Sequence, residues 1–522
     1  MTPRKHRTPS RFATDIQFAA LVFLSGMAAL THQFFWTRRL IDLLGASTES
    51  SARVFGTFFL GLSVGSAIAA LLIARVKNPL RLAGFAQLSI VVLVIPVIYL
   101  SDLTDWIWPS IGSGSTYGST GFAIKSFLTL GFVLPPSAMM GLSFPLIVAG
   151  VLRRNQGALG RSGLNLYAIN TLGGAGGVLF AVMWALPQLG NFASMLLAAA
   201  VDGLVGVVLL VLSRTRPNHG RNEPRVGDSD DRSEANPFWP VIALSFFSGA
   251  AVLTMEVAAF QMFQLTATIS IFSPAAVLFC VIASLGVAAA VFARYEKVFV
   301  TETARMAIAL IFAISGSLII LAPQVFMAIA QRSNWFAKNS GPTEFVFELG
   351  ALALLSVGPG LLVAGLIFPF AVASGGRGCS SRQAAQRLGV LLAVNGVGGL
   401  LGAEFAYQFL LPTFGVYGAI TAVAIAFTTT ALILSMIPSD RPSRSPLRVA
   451  TSVCASIVLL FGLLNSRLPV VNPPPGVKSL DIQFGREGSV AVLEDKRGNR
   501  SILVANQYVL GGTAVRYNQE RQ

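Results

Sequence analysis

Charge is what this sequence has least of. Only 12% of its 522 residues are Asp, Glu, Lys or Arg, about half the share found in soluble globular proteins. That shortage excludes a disordered chain and an ordinary water-soluble enzyme. Cysteine is scarce as well: Cys280, Cys379 and Cys454 are far apart, odd in number and without CxxC spacing, which excludes a disulfide framework and a zinc site. His6, His32 and His219 are too scattered to hold a metal. The chain is rich in apolar residues (54%), with 50 glycines and 37 phenylalanines and a mean hydropathy of +0.68. An integral membrane protein accounts for this composition. The net charge of +15 sits in short loops between apolar runs, the positive-inside pattern, so no nucleic-acid partner is expected.

The first apolar run, Ile16 to Trp36, is too long for a signal-peptide core, and no small-residue cleavage site follows it. It reads as a retained helix with a cytoplasmic N-terminus. Further runs lie near 55–75, 82–100, 121–152, 163–187, 190–213, 238–263, 272–293, 304–324, 345–373, 386–411, 413–437 and 448–464. On a criterion of ~20 residues per span these make thirteen helices. The loops with Arg75/Lys77/Arg81, Arg153/Arg154/Arg161, Arg294/Lys297/Arg305, Arg377/Arg382/Arg387 and Arg441/Arg444/Arg448 fall on one side. A multi-pass protein of a bacterial inner (cytoplasmic) membrane is expected. Arg38, Arg39 and Arg53 break the trend, with acidic Asp42 and Glu49 close by.

The chain repeats itself. Ser25-Gly26 through Thr31 matches Ser248-Gly249 through Thr254, and Gly141-x-x-Phe144-Pro145 matches Gly365-x-x-Phe368-Pro369. Asn170 with Gly173-Gly174 matches Asn395 with Gly398-Gly399, and Pro187 and Gly190 match Pro412 and Gly415. The offset stays within 223–225 residues throughout. Six helices per half is an even number, so the halves share one orientation, as in parallel transporter repeats. The domain reading is a first six-helix repeat at 1–213, a cytoplasmic linker at 214–237, a second repeat at 238–440, an extra helix and Pro-rich linker at 441–475, and a β-hairpin at 476–522. Pro135, Pro136, Pro145, Pro359 and Pro369 are read as helix-break positions in the fourth helix of each half. Such breaks either line a cavity or are kinks inherited through duplication. The Gly runs at 173–177 and 398–402 follow no strand and read as close helix packing rather than a nucleotide loop.

Ionisable residues inside a span are costly and mark candidate sites. They are His32 and neighbouring Gln33, Lys125, Asp202, Glu256, Glu348 and Glu404. Gln33 and Glu256 hold equivalent repeat positions, as do Asn170 and Asn395. A substrate cavity built from Gln33, Trp36, Tyr167, Asn170, Glu256, Asn395, Glu404 and Tyr407 would suit a small cationic ligand, with carboxylates as counter-charges and aromatic walls. The competing reading is that the two asparagines join helices by hydrogen bonds. No catalytic residue, metal or cofactor is expected.

After the last span, Ser489–Leu493 and Ser501–Ala505 are β-prone and flank the turn-like Asp495–Asn499. Phe484-Gly485-Arg486-Glu487-Gly488, Val490-Ala491-Val492, Asn499-Arg500-Ser501 and Gly511-Gly512-Thr513 resemble the opening hairpin of a spermidine synthase-like domain. With Gln33-x-x-Trp36-x-Arg38, Gly61-x-x-x-Gly65-Ser66 and Tyr167-x-x-Asn170-Thr171-x-Gly173, the membrane part resembles that of bacterial fused MFS/spermidine synthase proteins. The resemblance implies an all-α polytopic fold of two parallel six-helix MFS-like repeats, plus one extra helix and a short β-hairpin. The family's nucleotide-binding unit and catalytic carboxylates have no counterpart here, and Ala514–Tyr517 stands where an acidic pair would be. The chain by itself is therefore not expected to be an aminopropyltransferase. Two functions follow: a polyamine-related membrane partner or conduit for a separately encoded synthase-like domain, or an MFS-like secondary transporter of a small cationic or amphipathic molecule. Thirteen spans from a cytoplasmic start put the hairpin outside. Either 448–464 lies in the interface, or another span is miscounted, or the C-terminal part is not cytosolic.

Overall fold

The computed structural model describes residues 9–44, 48–99, 118–155, 162–214, 238–264, 272–299, 304–332, 341–436, 445–464, 476–485, 488–504 and 508–513. The expected linker at 214–237, apart from Arg214, and the Pro-rich stretch before Gly476 lie outside them. The first half holds α1 (Pro9–Leu44), α2 (Thr48–Ile73), α3 (Pro79–Leu93, continued by Ile95–Ile98), α4 (Gly118–Asn155), α5 (Leu164–Phe180) and α6 (Leu186–Arg214). The second holds α7 (Trp239–Gln264), α8 (Phe272–Phe299), α9 (Ala304–Arg332), α10 in three pieces (Pro342–Ser356, Gly358–Ala364, Ile367–Gly375), α11 (Ser381–Phe405) and α12 (Leu411–Met436). Helix α13 (Ser445–Leu464) and a four-stranded sheet follow. This is an all-α polytopic membrane architecture with a small β appendage.

Ten stretches are long and apolar enough to cross a membrane. Two of them, at 51 and 56 residues, are each about twice the ~20 residues a bilayer needs, and each folds back on itself. The fold-back is built the same way twice. A π-helical turn, Ala181–Ala185 or Ala406–Leu410, leads to a glycine with positive φ, Gly190 at 69° or Gly415 at 68°. Only glycine takes that conformation without strain. The sequence repeat is thus a backbone repeat.

Helix pairing repeats as well. In the first half α1 packs on α5, α2 on α4 and α3 on α6; in the second α7 packs on α11, α8 on α10 and α9 on α12. The halves meet where α2 lies along α11 and α5 along α8, two contacts that a two-fold axis exchanges. Lipid gives helices no hydrophobic reason to associate, so close backbone approach holds them together. A Cβ on Gly26, Gly173 or Gly177 would overlap the carbonyl oxygen of Asn170, Phe23 or Met27. In the second half Gly249, Gly398 and Gly402 stand against Asn395, Phe246 and Ala250 in the same way. Thr31 and Thr254 then donate to the carbonyls of Gly177 (3.2 Å) and Gly402 (2.9 Å).

The described prolines do not all break helices. Pro135, Pro136 and Pro145 lie inside α4, which stays one helix from Gly118 to Asn155, a correction to the expected break. Tight packing holds it: Gly61 abuts Ser137, Gly65 abuts Ala138, and Gly141 abuts Leu62. The Ser137 hydroxyl also donates to the Val133 and Leu134 carbonyls (2.7 and 3.1 Å). In α10 the helix does divide, at Val357 just before Pro359 and again at Gly365-Leu366, while Pro369 lies within the last piece.

Chain direction sorts the two ends of the bundle. Arg75, Arg153, Arg154, Arg214, Arg294, Arg377, Arg382 and Arg387 gather at one end, whereas Arg38, Arg39 and Arg53 stand at the other. Helix α13 starts after α12 has reached the arginine-rich end. It runs back along α9 and α12 until Tyr417 donates to the Phe461 carbonyl at 2.6 Å. The sheet therefore sits at the opposite end, where Gln261 of α7 donates to the Gly485 carbonyl at 3.3 Å. Strands β1 (Lys478–Gly485), β2 (Gly488–Glu494), β3 (Arg500–Val504) and β4 (Tyr508–Gly512) form an antiparallel meander in chain order. The expected two-stranded hairpin is its centre, β2 with β3, and Gly511-Gly512 is part of β4 rather than a tail. Asp495 closes the central turn, accepting from Arg497 N (2.7 Å) and Asn499 N (2.9 Å). Asn499 foremost holds the Asp495 carboxyl below its ordinary pKa.

Gly398→Val should destabilise the protein by about 1–3 kcal/mol through overpacking, seen as a lower unfolding midpoint in detergent. Gly131→Ala, with open space around the added methyl, should not lower it.

Candidate functional site

A pocket of about 300 Å³ opens on the seam between the halves, lined among others by Arg53 and Thr57 of α2, Ser126 of α4, and Glu404, Tyr407 and Gln408 at the end of α11. It lies at the end opposite the arginine-rich one. Gly56 makes room for it: the Glu404 Oε1 atom is 3.7 Å from where a Cβ on Gly56 would stand. The pocket brings a cation, a carboxylate, hydroxyls and an amide together against apolar walls of Leu60, Leu130 and Leu400. Of the sequence-predicted cavity residues, Glu404 and Tyr407 line it; Gln33, Trp36, Tyr167, Asn170, Glu256 and Asn395 are not among its lining. Arg53, Thr57, Ser126 and Gln408 were not singled out from sequence as site residues, since only a three-dimensional seam unites them.

The two-fold related place is apolar. There Val178 and Val182 of α5 pack with Ala275 and Leu278 of α8 in a dry apolar cluster. Repeat counterparts of Glu404 and Tyr407 are Leu179 and Val182, so the polar side chains of the pocket are not repeated on the other seam.

At the arginine-rich end the seam is shut. Arg382 of α11 donates to the Ile73 carbonyl at the end of α2 (3.3 Å), and Gln386 donates to the Ala70 carbonyl (3.3 Å). Arg153 reaches the same Ile73 carbonyl from α4 at 2.9 Å. Cations at a helix C-terminus are well placed against its dipole. Deeper in, Tyr167 of α5 lies 5.0 Å from Phe368 of α10 and 6.3 Å from Phe144 of α4, ring centre to ring centre. Phe144 and Phe368 are repeat equivalents, so one tyrosine joins both.

The asparagines stay within their own halves. Asn395 donates to the Ser245 carbonyl at 2.9 Å, and Asn170 abuts Gly26 as Asn395 abuts Gly249. The Asn395 amide thus joins α11 to α7 within one half.

A second polar group is buried inside the first half. His32 Nε2 of α1 stands 3.0 Å from Asp202 Oδ2 of α6, with side chains 0% and 1% exposed. The His32 ring is 5.2 Å from that of Trp36. His32 Nδ1, both amide atoms of Gln33 and Trp36 Nε1 are buried without a hydrogen-bond partner among the described residues. So is one carboxylate oxygen of Glu256, on the equivalent turn of α7. Buried polar atoms are nearly always paired, so these atoms keep unused hydrogen-bonding capacity on one turn. Sequence reading named His32 and Asp202 separately; with 170 residues between them, no local spacing signals the pair. Gln87 is structural, donating to Ser25 and Ser143 hydroxyls at 2.7 and 2.9 Å. Glu348 is half-buried at the start of α10 with one oxygen unpaired among the described residues, and the Lys125 side chain lies outside them. No group of three or more His, Cys, Asp or Glu able to hold a metal occurs among the described residues.

No protein-family model matches the chain, and no curated protein matches it. Solved structures of similar fold include a point variant of the E. coli fucose:proton symporter FucP, at 12% identity over 87% of this chain and 99% of that one, TM-score 0.47. The human organic anion transporter MFSD10 (TETRAN) is similar at 13% identity over 88% and 100%, TM-score 0.44. A point variant of the nucleoside transporter NupG is similar at 12% over 86% and 98%, TM-score 0.43. The helix pairings above define a multi-pass membrane protein built of two repeated six-helix halves.

In a background with the three native cysteines replaced, Gln408→Cys, at an exposed position of the pocket lining, should react readily with a water-soluble maleimide. Thr254→Cys, in the buried α7–α11 contact, should react at least ~10-fold more slowly; equal rates would remove the pocket.

Proposed function

We propose that this protein is a secondary transporter that moves a small cationic or amphipathic molecule by rocking one six-helix half against the other. One observation carries the reading: a polar pocket on the seam at one end of the bundle, with that seam shut by hydrogen bonds at the other. Alternating access needs a seam that parts easily. Here the closing bonds run from Arg382 and Gln386 to helix-end carbonyls, which water can satisfy once the helices separate.

The gathering of arginines at the closed end supports a cytoplasmic assignment for it and for the N-terminus, in keeping with the positive-inside rule, and a bacterial inner membrane as location. The pocket then faces outward. Glu404 is the counter-charge for a cation and Tyr407 an aromatic wall. Arg53 on the facing helix would receive an acidic or carbonyl group on the same ligand, so an amphipathic or zwitterionic molecule fits better than a bare polyamine. Glu256, deeper on α7, is a second carboxylate that a cation can meet during passage, with Gln33 opposite it in the repeat.

The alternative role, a polyamine-related membrane partner of a separately encoded synthase-like domain, rests on sequence resemblance alone. The sheet bearing that resemblance lies at the end away from the arginines, which does not favour a cytosolic S-adenosyl-dependent partner continuing from it.

Uptake of a panel of labelled amines, quaternary ammonium ions and amino-acid-like zwitterions into proteoliposomes tests the transport reading. Glu404→Gln should reduce uptake at least ~10-fold and Glu256→Gln should reduce it as well, whereas exposed Phe409→Leu should not. Absence of protein-dependent uptake for every class would overturn it.

A further inference from the structure

We propose that the buried His32–Asp202 pair is a proton-binding site, and that proton occupancy there is coupled to movement of the seam. The proposal deepens the transport reading as far as coupling is concerned; proton binding itself does not depend on it.

The pair is not demanded by the architecture. In the second half the same two positions, by the offsets of the repeat, are Met255 and Phe427, and that half packs its α7 and α12 with both side chains buried. Phe427 meets Phe247 edge-on and Phe312 at a tilt, with ring centres 5.1 and 5.5 Å away. A charged pair in an apolar interior is no more stable than well-packed apolar residues. An ionisable pair retained in one half where its duplicate uses Met and Phe is therefore a candidate for function rather than for scaffold.

The geometry leaves one basic atom available. With its proton on Nε2, the imidazole donates to Asp202 Oδ2, and Nδ1 keeps a lone pair with no partner among the described residues. A proton arriving at Nδ1 makes an imidazolium and takes the pair from a net charge of −1 to zero; its departure reverses this. Gln33 and Trp36, with orphaned polar atoms on the same turn, provide the polar surroundings through which a proton can come.

Other charges are distant or engaged. On α1, Arg38 donates to Asn191 and Arg39 to the Ile98 carbonyl, both toward the pocket end. Arg53 of α2 lines the pocket. On α4, Arg153 and Arg154 are at the arginine-rich end, as are Arg214 of α6 and the titratable Tyr167 early on α5. The Lys125 side chain on α4 is outside the described residues. Among the described side chains of the first half, Asp202 is the sole carboxylate. Its pairing with an α1 residue ties α6 to the helix that precedes the pocket helix α2, so a change of charge is felt where the halves must move.

The chain has three histidines, which makes a direct measurement practicable. ¹⁵N-histidine NMR of the full chain carrying His6→Gln and His219→Gln reports His32 alone. The expected result is a reversible change of the ring nitrogens between neutral imidazole and imidazolium within the pH range in which the protein stays folded, altered in Asp202→Asn. A His32 signal that holds one protonation state across that range would overturn the site. In proteoliposomes, using the probe that passes the uptake panel, Asp202→Asn and His32→Gln should lose at least ~10-fold of pH-gradient-driven accumulation while retaining probe exchange at equal pH. Unchanged gradient response in both variants would overturn coupling. Absence of all uptake in the parent protein would instead remove the transport reading and leave the NMR titration to judge the proton site.

Discussion

Everything in this bundle depends on how close two helix backbones can come in a medium that offers no hydrophobic reward for association. Within each half the first helix lies close on the fifth, an approach made by glycines that leave no room for a Cβ. Packing of this kind is dense and hard to shift, since any displacement removes many small contacts at once. The seam between the halves has glycine contacts too, Gly396 against Ser63 and Gly286 against Leu172. Yet it also contains a pocket, and at its closed end it relies on side chains reaching helix-end carbonyls. Contact inside the halves is thus made by close backbone approach, and at the seam by close approach together with side-chain hydrogen bonds to helix-end carbonyls.

The sequence was legible where backbone geometry dictates residue identity. Gly190 and Gly415 stand at positive φ, and Gly26, Gly173 and their partners stand where a side chain cannot fit, so the repeat was preserved there and could be found by comparing the chain with itself. Spans were legible because lipid requires long apolar runs. Prolines were read too simply: Pro135 and Pro136 carry the same residue type as Pro359, but a helix packed tightly along α2 stays whole, whereas α10 divides. The His32–Asp202 pair, the pocket lining and the outer strands of the sheet depend on chain segments far apart in sequence, and no periodicity encodes them.

Duplication gives the polar groups an internal control. Both halves share the glycine ribs, the threonine hydroxyls bonded to helix carbonyls, the paired asparagines and the fold-back turns, and these features account for the architecture. What differs is the placement of charge. Glu404 and Tyr407 correspond to Leu179 and Val182, His32 and Asp202 to Met255 and Phe427, and Glu256 to Gln33. For the first two sets, one half carries polar groups where the other carries apolar ones.

The C-terminal sheet has no such duplicate, and its position follows from the helix count. Helix α13 is an odd crossing added to an even bundle, and its consequence is a reversal of side. Its Phe461 carbonyl takes the Tyr417 hydroxyl, and Gln261 donates to the Gly485 carbonyl, so the sheet is fixed at the end of the molecule where the pocket opens. Among the described residues its own small core buries Ala491 and Leu493 alone, far less apolar surface than a domain needs to fold independently. The meander thus draws its order from the bundle on which it rests. Any domain continuing from it would emerge on the pocket side, across the membrane from the arginines.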